Sequence, residues 1–313
     1  MTPTIADSPA RVAFASIVAL ALLCYGGPLN AQRKPINAGS PHVSRDGKQI
    51  LFTSRRDSLL RAYVMNADGS RIRRLTGISN PSEIEFGATW GPGANEAMFA
   101  SPHPGGSGTD LVIVKLDGSG RRVLTSVADS PIPDASPDGK TVVITTGGFP
   151  RYRLHSIGAD GTGERSLTSE LATASEATWS PDGKHIAFVS AEVDSGSHWM
   201  STLLYVMKAD GSGKTVLTTL AGIAQRPSWS PDGRTIAFQL ATPDLKDIQV
   251  YFSDVATGKT YSITPHAAGV QQWDETPSWM PDSHRLVFTS DRDGRMELYL
   301  MNSDGSDQRR LTY

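Results

Sequence analysis

Internal repetition is the feature that most restricts how this chain can fold. The stretch Trp179-Ser-Pro-Asp-Gly-Lys-His-Ile-Ala-Phe188 recurs as Trp229-Ser-Pro-Asp-Gly-Arg-Thr-Ile-Ala-Phe238, and in looser form as Trp279-Met-Pro-Asp-Ser-His-Arg-Leu-Val-Phe288. Aligned on the residue two before the tryptophan, the copies begin at Pro41, Ala88, Pro133, Ala177, Pro227 and Pro277, spaced 47, 45, 44, 50 and 50 residues apart. Self-similarity at such a period marks units that bury their apolar faces only by stacking on one another, and this length matches four-stranded propeller blades. The first three copies are weaker: Val43 and Ala135 replace the tryptophan in copies one and three, and copy two carries Gly91-Pro92-Gly93-Ala94 after Trp90. The expectation is an all-β fold, a six-bladed β-propeller of four-stranded antiparallel blades.

Each copy divides into four strand signals. The first is the short Pro-x-Trp-Ser segment, closed by a Pro-Asp-Gly turn in which Pro sets φ and Gly supplies a positive one. The second alternates apolar residues with period two, as in Ile186 and Phe188 or Ile236 and Phe238. The third is of the Leu204-Tyr-Val-Met207 type and leads into a second tight turn, as at Asp210-Gly211. The fourth ends in Leu-Thr or its equivalent, from Leu75-Thr76 to Leu311-Thr312. Strands running up and down place both tight turns of every copy on one face. The variable loops and the inter-blade connections then fall on the other face, where binding residues usually sit on a rigid scaffold.

The N-terminus is different. Arg11 precedes Val12 to Cys24, an uncharged apolar run of 13 residues, too short to span a bilayer comfortably. It reads as the hydrophobic region of a signal peptide (residues 1–31), cleaved near Ala31 after Leu29-Asn30. A polar linker (32–40) and the propeller (41–313) follow. The expected location is periplasmic or secreted, with membrane contact only through the N-terminal segment before cleavage. Cys24 leaves open whether the mature form is a lipoprotein or soluble. Thirty Lys and Arg against 32 Asp and Glu give a net charge of -2, which offers nucleic acid no general electrostatic attraction.

Candidate site residues come from the face loops. Glu85, Glu176, Arg226, Asp274 and Glu275 lie just before inner strands and are expected to ring the channel mouth. That would make a mostly acidic rim with one Arg, suited to a basic or polar ligand. Trp90, Trp179, Trp229 and Trp279 recur at one strand position and read as inter-blade packing. Trp199 and Trp273 break the repeat and read as ligand contacts. His42, His103, His198 and His266 are the candidates for a shared metal, although no pair has the close spacing of a zinc site. The Asp-rich turns resemble fragments of a calcium loop, and turn chemistry accounts for them without an ion. The arginine pairs Arg73-Arg74, Arg121-Arg122 and Arg309-Arg310 fall on outermost strands, where charge discourages edge-to-edge association. No nucleophile elbow, His-Glu-x-x-His motif or phosphate loop is present.

Together, Pro-x-Trp-Ser-Pro-Asp-Gly-x-x-Ile-Ala-Phe, Leu-Tyr-Val-Met-x-x-Asp-Gly and Leu-Thr resemble the TolB-type propeller repeat, from Pro41 to Tyr313. The resemblance implies a periplasmic partner-binding platform of the Tol-Pal envelope system, here as the propeller alone, without the N-terminal domain of TolB. It implies a monomer that needs no cofactor and binds an envelope protein or peptide, with a Pal-like lipoprotein as one such partner. The same repeat occurs in oligogalacturonate lyases, so a metal-assisted propeller enzyme acting on a carbohydrate, with His103, His198 or His266 as ligand or base, is the alternative. Fold alone does not choose between them.

Overall fold

The computed structural model describes residues 37–76, 84–104, 108–127, 132–147, 151–169, 171, 173–191 and 201–313. The expected signal peptide, most of the linker, His198 and Trp199 lie outside the described residues.

The strands follow the repeat. Copy one forms β1 (Gly39–Val43), β2 (Gln49–Asp57), β3 (Leu59–Asn66) and β4 (Arg73–Arg74). Copy two forms β5 (Phe86–Trp90), β6 (Glu96–Pro102), β7 (Thr109–Lys115) and β8 (Arg122–Val127), and copy three β9 (Asp134–Ala135), β10 (Thr141–Thr146), β11 (Arg153–Gly158) and β12 (Arg165–Ser166). Next come β13 (Ser175–Trp179), β14 (His185–Ala191), β15 (Thr202–Lys208) and β16 (Thr215–Val216), then β17 (Ile223–Trp229), β18 (Thr235–Ala241), β19 (Ile248–Asp254) and β20 (Thr260–Ser262). The last copy supplies β21 (Asp274–Trp279), β22 (Arg285–Ser290), β23 (Glu297–Asn302) and β24 (Arg309–Arg310).

The expectation of six separate four-stranded blades is corrected here. Four sheets are four-stranded antiparallel blades: β1–β4, β5–β8, β9–β12 and β21–β24. The strands of copies four and five instead form one eight-stranded sheet, β13 to β20. The cause is local. β17 begins at Ile223, further ahead of its tryptophan than any other inner strand, and Ile223 pairs in parallel with Thr202 of β15. The Thr202 amide donates to Gly222 O at 3.1 Å and its hydroxyl to Ala224 O at 2.6 Å. Ile223 is held there by Ala241 and Ile248 in a small buried cluster.

The sheets pack face to face through separate apolar clusters, such as Leu51, Val64, Phe99 and Val112 between the first two blades. The second tight turn and the Leu-Thr ending of the preceding copy are the halves of one joint. A Cβ placed on Gly211 would lie 3.0 Å from Leu167 O of the preceding copy, and one on Gly305 would lie 2.4 Å from Ile263 O. The same joint closes the ring, because a Cβ on Gly69 of copy one would lie 2.6 Å from Leu311 O of the last copy. The Asn37 and Ala38 amides add hydrogen bonds to Met296 O at 3.2 and 3.1 Å, so strand β1 and the two residues before it seal first blade to last.

The Leu-Thr signal has a second use. Its threonine hydroxyl accepts the amide at the start of the third strand: Leu154 N to Thr168 and Val250 N to Thr264, both 2.9 Å, and Leu298 N to Thr312 at 3.0 Å. Edge arginines also staple neighbours. Arg73 reaches Leu116 O at 2.7 Å and Arg122 reaches Ala159 O at 3.2 Å, in addition to charging the outer strands.

Candidate functional site

The innermost strands β1, β5, β9, β13, β17 and β21 line an axial channel. In five of them the residue three before the tryptophan position takes a left-handed backbone. Four are not glycine: Ser40 (φ 51°), Glu176 (55°), Arg226 (54°) and Thr276 (52°), with Gly87 at 61°. Each marks a register break with the second strand, as between Ser175 and Thr178. A bulge re-aims the side chains around it. In copies one, four, five and six it turns two residues per strand toward the axis.

Two rings result. The upper, narrow one holds Ser40, Ile132, Glu176, Arg226 and Thr276 around a cavity of about 70 Å³. The lower ring is formed by the residue just before the tryptophan position of each copy: His42, Thr89, Asp134, Thr178, Ser228 and Ser278. Below it the channel opens to about 380 Å³, walled by Trp90, Trp179, Trp229 and Trp279 and by the turn prolines. The wide mouth therefore lies on the face of the tight turns. Two of the tryptophans also bridge neighbouring copies, Trp90 Nε1 donating to His42 O at 2.9 Å and Trp279 Nε1 to Ser228 O at 3.2 Å.

Of the residues expected on the rim, the channel brings together Glu176 and Arg226. Glu176 accepts the Arg226 amide at 2.7 Å, and the guanidinium Nε lies 3.9 Å from its carboxylate. Glu85 is elsewhere, buried between the first two blades, where it accepts the Ala62 amide at 2.9 Å and the Thr76 hydroxyl. Asp274 is fully buried away from the lumen, and Glu275 is buried one residue before the channel lining of its strand begins at Thr276. Trp273 packs on the cluster of Ile223, Ala241 and Ile248, and its amide donates to Asp291 at 2.9 Å. The acidic rim is thus one ion pair in the lumen, with three carboxylates committed to scaffold.

Asp134 is the channel group the sequence reading missed. The signal was present, since it is a carboxylate where the other copies carry His, Thr or Ser. Its Oδ2 accepts the Trp179 amide at 2.7 Å and the Thr178 hydroxyl at 3.0 Å. Burial nevertheless pushes its pKa up to about 6. His42 is shifted the other way: burial, aided by the charge of Arg226, pulls it down to about 4, so the imidazole is neutral at physiological pH.

The remaining histidines do not converge. His103 Nδ1 meets Asp110 at 2.8 Å, and Ser126 donates to the same oxygen at 2.6 Å. His266 sits between two carboxylates, Asp247 at 2.5 Å and Asp274 at 3.0 Å, and Arg292 completes the network at 3.1 Å from Asp274. Among the described residues no group of three His, Cys, Asp or Glu is arranged to hold a metal ion. The Asp-rich turns close on themselves, as where Ser180 Oγ and Lys184 N both donate to Asp182, at 2.6 and 3.0 Å.

Fold and site define an all-β propeller with a polar axial channel. Residues 142–313, more than half of the chain, match the model of the TolB beta propeller domain, and the chain belongs to that family. A stretch of 63 residues is 35% identical to Protein TolB homolog of Chlorobaculum tepidum, covering 20% of this chain and 13% of that protein. The TolB structure from Acinetobacter baumannii superposes with a TM-score of 0.67 at 21% identity, over 85% of this chain and 65% of that one. An oligogalacturonate lyase in complex with manganese superposes at 0.57 and 18% identity, over 89% and 77%. At these identities the structural likenesses speak to fold. The chain spans less than two thirds of the first two proteins named.

Proposed function

We propose that this protein is an exported, non-enzymatic TolB-like propeller that holds a protein or peptide of the cell envelope in its axial channel. The observation that carries the reading is the repeated bulge. Four non-glycine residues adopt φ near +50° at one repeat position around one axis. A residue held in that region costs on the order of 1–3 kcal/mol, and such strain clusters at functional sites. Here it aims Glu176 and Arg226 into a lumen whose wide mouth is walled by tryptophan and proline. Aromatic and proline surface with a few charged groups at the bottom suits an inserted polypeptide segment.

The carbohydrate-lyase reading lacks comparable support, because His42, His103 and His266 have different partners in different places. Envelope location rests on the apolar segment Val12 to Cys24 and on kinship with TolB; a Pal-like lipoprotein is the partner class that kinship suggests.

A photo-crosslinking residue at Ser228, in the channel, tests the reading against one at Tyr261, 49% exposed on an outer strand. In envelope extract the Ser228 version is expected to capture one protein that the Tyr261 version does not. Equal capture from both positions, or none from Ser228, would count against it.

A further inference from the structure

Asp134 has no part in the reading so far, and its surroundings specify the chemistry of what enters. This inference rests on the channel-binding reading and deepens it. Asp134 is the only carboxylate of the lower ring. Trp179 and Thr178 both donate to Oδ2, and the Ala135 amide adds a further hydrogen bond to the carboxylate. A carboxylate set in a partly buried wall favours an incoming cation.

The neighbouring charges define where that cation stops. His42, in the same ring, is neutral and competes with no cation. Arg45 stands at the wide mouth with its guanidinium donating to the carbonyls of Ala135, Ser136 and Pro137 at 3.3, 2.9 and 2.6 Å. Arg226, paired with Glu176, lies in the narrow ring beyond Asp134, so that ring has no net negative charge to draw a cation further. A carboxylate already engaged by amide and hydroxyl donors suits a point-charge ammonium better than the planar guanidinium fork, which uses both oxygens. The hydroxyls of Thr178, Ser228 and Ser278 offer acceptors for its other protons. The tryptophan and proline wall below provides the apolar surface along which a lysine stem packs.

We propose that Asp134 binds the ammonium of a lysine side chain, carried by a partner segment that enters the channel from the tight-turn face. The test is selection of heptapeptides from a phage-displayed library on the full chain, in parallel for the unaltered protein, Asp134→Asn and Asp134→Glu. The Asn variant keeps an acceptor for the Trp179 amide, and circular dichroism with tryptophan fluorescence checks that both variants fold. The unaltered chain and Asp134→Glu are expected to enrich lysine-containing peptides. Losing a hydrogen bond to a charged group should weaken their binding to Asp134→Asn by roughly tenfold to a hundredfold. Enriched peptides without lysine, or binding unchanged in Asp134→Asn, would overturn the lysine assignment and leave channel binding standing. Failure of the unaltered chain to enrich any peptide would overturn both.

Discussion

Ring closure is the point at which a repeat structure is most exposed to a single substitution, and two glycines make it measurable. Gly69 has φ +89° and Gly294 has φ +91°, and each amide closes its turn at 2.9 Å, to Asn66 O and Asp291 O. They differ in what surrounds them. A Cβ on Gly69 would meet Leu311 O at 2.6 Å, whereas one on Gly294 meets nothing within 4 Å. Gly294→Ala therefore carries backbone strain alone: about 1–2 kcal/mol for the left-handed region, less about 0.4–1 kcal/mol from the stiffer unfolded chain. Gly69→Ala adds the overpacking of a backbone carbonyl, about 1–3 kcal/mol more. Urea unfolding followed by tryptophan fluorescence reads the difference as a displaced midpoint at unchanged slope. Gly305→Ala, 2.4 Å from Ile263 O, is the internal reference for the same joint within the ring. Equal costs at Gly69 and Gly294 would refute the claim that the turn glycine and the preceding Leu carbonyl form a tight joint. A cost at Gly305 without one at Gly69 would show that the closing joint is looser than the others.

His266 should make stability pH-dependent on the alkaline side. Burial lowers its pKa, but hydrogen bonds to Asp274 and Asp247 outweigh this and raise it above 6.5, so its contribution is complete below 6.5 and fades as pH rises through the folded value. The urea midpoint should fall over that range and flatten there in His266→Gln. Asp134 behaves oppositely to a salt-bridged carboxylate. Its pKa rises from 3.8 to about 6, so its contribution is present below 3.8 and is lost as pH rises through about 6; Asp134→Asn should raise the unfolding midpoint at pH 7. Thr264→Val leaves the buried Val250 amide without its acceptor and should cost about 1–3 kcal/mol in the same assay, with Thr264→Ser close to neutral.

The repeat made the all-β class, both turn positions and the four strands of each copy legible, because period-two apolar runs between Pro-Asp-Gly and Asp-Gly leave little freedom. It did not disclose the eight-stranded sheet. That pairing depends on how far β17 extends toward β15, and Ile223-Ala224-Gln225 carries no mark distinguishing a strand from a connection. The Leu-Thr ending was visible as a motif and opaque in purpose. Its threonine lies just beyond the short fourth strand and serves the amide of its neighbour, a relation across 14 residues that no local pattern contains.

For the site, the difference between Asp134 and Asp274 shows what repeat logic can and cannot resolve. Both are acidic and both lie close to an inner strand. Asp134 stands inside the repeat, at a position whose counterparts are His42, Thr89, Thr178, Ser228 and Ser278, so its channel exposure follows once any one of them is placed. Asp274 stands where the repeat lapses, and its fate depends on partners drawn from separate segments: His266 from the preceding loop and Arg292 from the next hairpin. Burial would raise its pKa, yet the His266 hydrogen bond and the Arg292 charge hold it below the usual carboxylate value. A carboxylate neutralised in this way has little capacity left for a ligand, whereas one held by a backbone amide and a hydroxyl keeps its charge available. Departure from the repeat therefore marks where chemistry is concentrated. Position within the repeat decides whether that chemistry faces the channel.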